Sequence, residues 1–166
     1  MKAVLLGVGQ AGGKLATAIA RFDADAGYGA VLDALAVNTA ATDLDPLPLE
    51  TVLVGQSRVN GHGVGGDNEL GAEVMDEDVV EVLDALAPKL TAEAEALFVV
   101  AGLGGGTGSG GAPVLVRELS RVYDVPVYAV GILPGRDEGA MYQVNAGRSL
   151  KTLVREADAT ILLDND

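Results

Sequence analysis

The stretch AGLGGGTGSGGAP, Ala101 to Pro113, carries seven glycines. It follows the apolar run Ala96 to Val100 and leads past Pro113 into Val114, Leu115, Leu119 and Val122 at helical spacing, which predicts a strand, a tight loop and a helix. Glycines without a Cβ let successive backbone N–H groups converge on one point, and the positive end of the following helix dipole adds to them. Thr107 and Ser109 offer hydroxyl donors beside them. Such a turn suits phosphate. A Walker loop needs GxxxxGK[ST], and no lysine follows these glycines, so that reading is excluded.

Outward from this loop the chain alternates apolar runs with helical patterns. Ala3 to Leu6 is predicted as a strand that enters GVGQAGG at Gly7 to Gly13, and Leu15, Ile19 and Phe22 then recur at helical spacing. Gly7, Gly9 and Gly12 satisfy GxGxxG, the dinucleotide fingerprint, which opens the reading of an NAD-dependent enzyme. That chemistry wants an acid at the end of the second strand. The run Leu32 to Val37 ends instead in Asn38 and Thr39, with Asp33 at its opposite end. Thr51 to Val54 is predicted as the third strand, Gly61 to Asp78 as a glycine-rich loop, and Val79, Val80, Leu83, Leu86 and Leu90 as a helical stripe. Pro126 to Ile132 reads as a fifth strand and Thr160 to Leu163 as a sixth, with a helix between them carrying Met141, Val144, Leu150, Leu153 and Val154. Six strands alternating with helices predict one α/β domain over residues 1–166: a doubly wound parallel sheet in the order 3-2-1-4-5-6, with ligand at the carboxyl ends.

Composition narrows the function classes. Hydrophobic residues make up 49% of the chain, enough for one sizeable core, and the absence of cysteine removes disulfides, thiolate metal sites and thiol nucleophiles. A net charge of −13 argues against nucleic acid, whose phosphates it would repel. Lysine occurs only four times, and the evenly spread carboxylates resemble the surfaces of proteins from salt-accumulating archaea; an ordinary acidic cytosolic protein would read the same way. No apolar run reaches membrane-spanning length and the N-terminus lacks a signal-peptide layout, so a cytoplasmic protein without a transmembrane segment is expected. His62, the single histidine, has no cysteine or second histidine with which to hold a metal or form a triad.

Gly104 to Gly110, GGGTGSG, resembles the tubulin and FtsZ signature GGGTG[ST]G without a mismatch. GQAGGK at Gly9 to Lys14 resembles the first phosphate loop of that superfamily, and AVNTAATDL at Ala36 to Leu44 resembles the AVNTD stretch of FtsZ. Gly61 to Asp78 is similar to the nucleotide-sensing loop, especially in the archaeal CetZ branch. The resemblance implies GTP or GDP as ligand, held by Gly9, Gln10, Ala11, Gly12, Gly13, Lys14 and Asn38, by Gly104, Gly105, Gly106, Thr107, Gly108 and Ser109, and by Gly66 and Asp67 near the terminal phosphate. Gln10 and Asp67 would stand near Mg2+, with a simple helix cap as the lesser alternative for Gln10. Within PGRDEG, Glu138 would meet the ribose, or serve only as an acid at a helix start; Tyr142 stands where FtsZ has a basic residue. Asn165 in LLDND matches the corner that lies against the nucleoside.

The resemblance covers the whole chain but only the N-terminal half of a family member. It therefore implies that the central helix with the second guanine-reading asparagine, the loop whose acids position water on a neighbour's nucleotide, and the C-terminal domain lie outside these 166 residues. A nucleotide pocket without a catalytic residue of its own is expected, in a protein whose full-length relatives polymerise and influence archaeal cell shape. Partners would be guanine nucleotide and further subunits. GTPase activity stays open, and the alternatives are an NAD(P)-dependent enzyme and a non-catalytic protein that caps or modulates filaments.

Overall fold

The computed structural model describes residues 1–166. The apolar runs form six strands: β1 (Ala3–Val8), β2 (Val31–Asn38), β3 (Glu50–Leu53), β4 (Ala96–Gly102), β5 (Val127–Ile132) and β6 (Ala159–Leu163). Between them run α1 (Gly9–Ala26), α2 (Ala41–Leu44), α3 (Gln56–Val59), α4 (Asn68–Glu77), α5 (Val79–Leu86), α6 (Gly106–Val122) and α7 (Ala140–Glu156). Every strand pair is parallel and the order is β3-β2-β1-β4-β5-β6, the doubly wound arrangement expected. All the strand-to-helix turns consequently open at one edge of the sheet.

Alternation along the strands sorts the core into two layers. Val4, Leu6 and Val8 of β1 share a face with Leu97, Val99 and Ala101 of β4 and pack under Met75, Val82, Leu115, Leu119 and Leu153 from α4 to α7. The opposite face is thinner: Leu5, Ala16 and Ala34 join β1 and β2 to α1. Beyond α1 that second face is apolar and partly open. Phe98 and Tyr128 stack with ring centroids 5.2 Å apart, and Val130, Ile132, Ile161 and Leu163 continue the same face through β5 and β6, with Ile161 48% exposed.

Three expectations are corrected. First, the glycine stretch is not a loop up to Pro113: α6 begins at Gly106 and Pro113 lies inside it. Second, Gly61 to Asp78 is not all loop, because its later part is α4, capped by the Asp67 carboxylate accepting the Leu70 N–H at 3.0 Å. The cause is shared. A Cβ on Gly110 would strike the Asn68 carbonyl and one on Gly71 the Gly106 carbonyl, so α4 and α6 cross backbone to backbone, and that contact overrides the poor helix propensity of glycine. Third, parts of the helical stripes face outward: Phe22, Val80, Met141, Val144 and Val154 are exposed. On α1 the buried positions are instead Gly9, Gly12, Gly13, Ala16 and Asp23, small residues that bring the helix close to the sheet. Asp23 fastens the turn into β2 by accepting the Ala30 and Val31 N–H groups, each at 3.0 Å.

The amino ends of the strands are tied by charge. Lys89 Nζ, nearly buried, meets Glu50 at 2.7 Å and Asp33 at 3.2 Å. Burial works against the ammonium, but hydrogen bonds to Glu50 and Asp33 outweigh it and hold its pKa above the usual lysine value. Asp33 thus belongs to the end of the sheet away from any ligand.

Candidate functional site

At the carboxyl ends of β1, β2, β4 and β5 lies a cavity of about 670 Å3, within the range of small-molecule sites. Two helix starts form its floor. α1 begins at Gly9, whose φ of 75° is left-handed, and a Cβ there would come within 3.0 Å of the Gly108 nitrogen, so the starts of α1 and α6 touch. Only glycine gives both the dihedral and the approach. The positive ends of two helix dipoles therefore meet at one place, with the backbone of Gly104 to Gly108 around it. Gly66, at φ 83°, closes one side through the His62 to Gly66 turn.

Side chains fix these loops. The Thr39 and Thr107 hydroxyls bond to each other at 2.7 Å across the junction of β2 and α6. Asn38 Oδ1 accepts the N–H groups of Thr39 (2.8 Å) and Ala40 (3.3 Å), shaping the turn after β2. Asp43 accepts from Gln10 Nε2 at 3.1 Å and from Asn38 Nδ2 at 3.5 Å. On the far wall the Glu138 carboxylate accepts the Gly135 N–H at 2.9 Å and Asn165 Nδ2 at 3.1 Å. No lysine or arginine lines the cavity, while Asp43 and Glu138 do. Attraction for an anion therefore rests on backbone N–H groups, helix dipoles and neutral side-chain donors such as those of Gln10 and Thr107.

Of the residues expected in the site, Gly9, Gln10, Ala11, Asn38, Gly66, Gly104, Gly105, Gly106, Thr107, Gly108, Glu138 and Asn165 line this cavity together. Five do not. Gly12 is pressed against the Val100 carbonyl and Gly13 against Leu47, where they let α1 pack on the sheet. Lys14 is exposed outside the lining. Asp67 is outside the lining and caps α4, its Oδ1 accepting the Leu70 N–H. Ser109 turns the other way: its hydroxyl donates to the Gly105 carbonyl, and it lines a second cavity of about 360 Å3 between α4, α6 and α7. Sequence reasoning missed Thr39 and Asp43 as lining residues, and Asn145, whose side chain bonds to two of the glycine loops. Asp43 lay within the quoted AVNTAATDL, and its place in that stretch was the available signal.

Residues 2–166 match the GTPase domain of the Tubulin/FtsZ family. The chain belongs to this family. It is 72% identical over 166 residues to the tubulin-like protein CetZ2 of Haloferax volcanii, a match covering 100% of this chain and 46% of that protein. With CetZ1 of the same organism it shares 52% over 170 residues, covering 100% of this chain and 43% of the relative. The structure of a GTPγS-bound protofilament of Haloferax volcanii CetZ2 superposes with a TM-score of 0.99 at 72% identity, covering 100% of this chain and 50% of that one. A GDP-bound CetZ1 monomer gives 0.98 at 52% identity, covering 100% and 52%. An empty FtsZ dimer from M. jannaschii gives 0.85 at 28% identity, covering 99% and 45%. The chain spans about half the length of the curated relatives it matches. No helix is long and apolar enough to cross a membrane.

Proposed function

We propose that the cavity binds GTP and GDP with Mg2+, as the nucleotide-holding part of a CetZ-type filament protein of the cytoplasm that acts on archaeal cell shape. The observation that carries this reading is the junction of the α1 and α6 starts in a cavity without a cationic side chain. Such a floor suits a phosphate chain, and its two carboxylates suit a cation bound with it. The side-chain oxygens of Gln10 and Asp43 are the hard donors that magnesium takes, and the two side chains meet where Gln10 Nε2 donates to Asp43 Oδ1 at 3.1 Å. Mg2+ there would neutralise phosphate charge beside Asp43. Backbone N–H groups of Gly104 to Gly108 would hold the phosphates, with Glu138 and Asn165 on the opposite wall for sugar and base.

Self-association follows the same reasoning. The CetZ2 relative is known as a protofilament and the FtsZ relative as a dimer, and a head-to-tail contact would stack one subunit over the nucleotide face of the next. The family resemblance implies that hydrolysis is completed by a loop of a neighbouring subunit that these residues do not include, so residues 1–166 alone are expected to bind nucleotide without sustained turnover. Titrating labelled GTP, ATP and NAD with and without Mg2+ tests the reading. Saturable GTP binding strengthened by Mg2+ supports it, and tight NAD binding with no response to GTP overturns it.

A further inference from the structure

Asn145 lies in the second turn of α7, is 4% exposed, and is absent from the cavity lining. Its amide has two N–H donors, and both are used: Nδ2 donates to the Gly66 carbonyl at 2.9 Å and to the Gly104 carbonyl at 2.9 Å. One side chain thus joins the turn after α3 to the loop after β4, segments far apart in sequence. Its neighbours on α7 press on the same two glycines. Met141 fills the space over Gly66, where its Cε lies 2.7 Å from the position a Cβ would take, and Tyr142 lies 3.1 Å from the equivalent position on Gly104.

A trans peptide sets its C=O and the following N–H on opposite sides. Pinning the Gly104 carbonyl to a buried amide off the cavity therefore turns the Gly105 N–H the other way, and Gly105 is a lining residue. Pinning the Gly66 carbonyl fixes the Gly66–Asp67 peptide while the Asp67 N–H closes the turn onto the Val64 carbonyl at 3.2 Å. Glycines in open loops have wide conformational freedom, so a cradle made of them needs an outside constraint to keep its donors converged.

We infer that Asn145 is a positioning residue for the anion cradle, clamping both glycine loops in place and turning the Gly105 N–H inward. The inference rests on the nucleotide reading for its consequence in affinity, whereas the clamp itself is read in the protein without ligand. The test uses the full chain with N145D, close to asparagine in volume, and N145L, which keeps its branching at Cγ, both lacking the two-donor amide, and N145Q, which keeps it. Site-resolved hydrogen exchange of the unliganded variants is expected to quicken about tenfold or more at Gly65 to Asp67 and Gly104 to Gly106, and to stay unchanged in β1 and β4. N145Q should recover a measurable part of that protection. In N145L the affinity for labelled GTP is expected to fall by roughly tenfold or more, as hydrogen bonds to the phosphates lose their alignment. Unchanged loop exchange in folded N145L and N145D, acceleration spread evenly over the sheet, or N145Q behaving like N145L would each overturn the clamp. Failure of the unsubstituted chain to bind GTP would overturn the nucleotide reading instead, and the exchange measurements would still decide the clamp.

Discussion

The two helix starts that meet under the cavity are built from opposite materials. At α1 the glycine comes first and side chains follow at once: Gln10 and Ala11 stand out at the cavity, and Gln10 reaches across to Asp43. At α6 every residue from Gly106 to Val116 is buried, and the wall presents little beyond backbone and the Thr107 hydroxyl. The first start contributes adjustable chemistry, the second a fixed surface whose shape is dictated by α4 behind it. Substitutions at α6 should therefore act through packing and those around α1 through charge.

The largest effect is expected where α6 meets α4. Gly110→Val would drive a branched side chain into the Asn68 carbonyl, a backbone atom that cannot step aside, and should cost about 3 kcal/mol or more. Gly147→Ala on α7, where an added Cβ meets nothing, should instead stabilise by about 0.5–1 kcal/mol, so opposite shifts of Tm in thermal melts are the check. Equal losses would mean that glycine serves helix flexibility generally and not this crossing.

Next comes the cradle itself. Thr107→Ala removes the hydroxyl bonded to Thr39, the donor proposed for the phosphates, and should weaken GTP binding by about 1.5–3 kcal/mol; Glu138→Ala, on the wall proposed for the sugar, should cost about 1 kcal/mol. Calorimetric titration ranks the two, and a larger loss at Glu138 would move the energetic centre of the site away from α6. Asp43→Asn sharpens the other half of the comparison. Without Mg2+ it should tighten GTP binding, because a carboxylate no longer faces the phosphates, and with saturating Mg2+ it should weaken binding, each by on the order of 1 kcal/mol. The same sign in both conditions would show that no cation binds beside Asp43.

The smallest effect lies at the far end of the sheet. Since the folded-state pKa of Lys89 is raised, the stability it supplies is full below the ordinary lysine pKa and is lost as pH rises through the raised value. Lys89→Met should therefore lower neutral-pH stability by about 1 kcal/mol or less and flatten the alkaline limb of the stability curve, with nucleotide affinity unmoved. Urea titrations across neutral and alkaline pH read both.

Most of the architecture was legible because the central parallel strands, buried on both faces, leave uninterrupted apolar runs, and all six strands stood out, with boundaries off by a residue or two, short at Val8 and Asn38 and long at Val54 and Pro126. What escaped was decided by partners distant in sequence. Gly106 to Gly111 has loop composition and is helical because α4 lies against it, and the Asn68–Glu77 helix was hidden by the glycines before and within it. On α7 the stripe of large apolar residues is exposed at Met141, Val144 and Val154 and buried at Leu153, and the rest of the buried side is made by Asn145, Ala146 and Ser149. A polar residue chosen to hold carbonyls has no periodic signature. At the site, motifs pointed to the glycines, but only the fold separates those whose backbone faces the cavity from Gly12 and Gly13, which serve the packing of α1.

The glycines of α6 also bear on how the molecule assembles in time. Four of the first six residues of that helix are glycine, each about 0.8–1.0 kcal/mol worse than alanine in a helix interior, so this end has no tendency to wind up alone. Its order is borrowed from α4, whose own glycine at position 71 makes the contact possible. The wall of the cavity therefore depends on a contact between distant segments, and the two helices should form and melt as one cooperative unit.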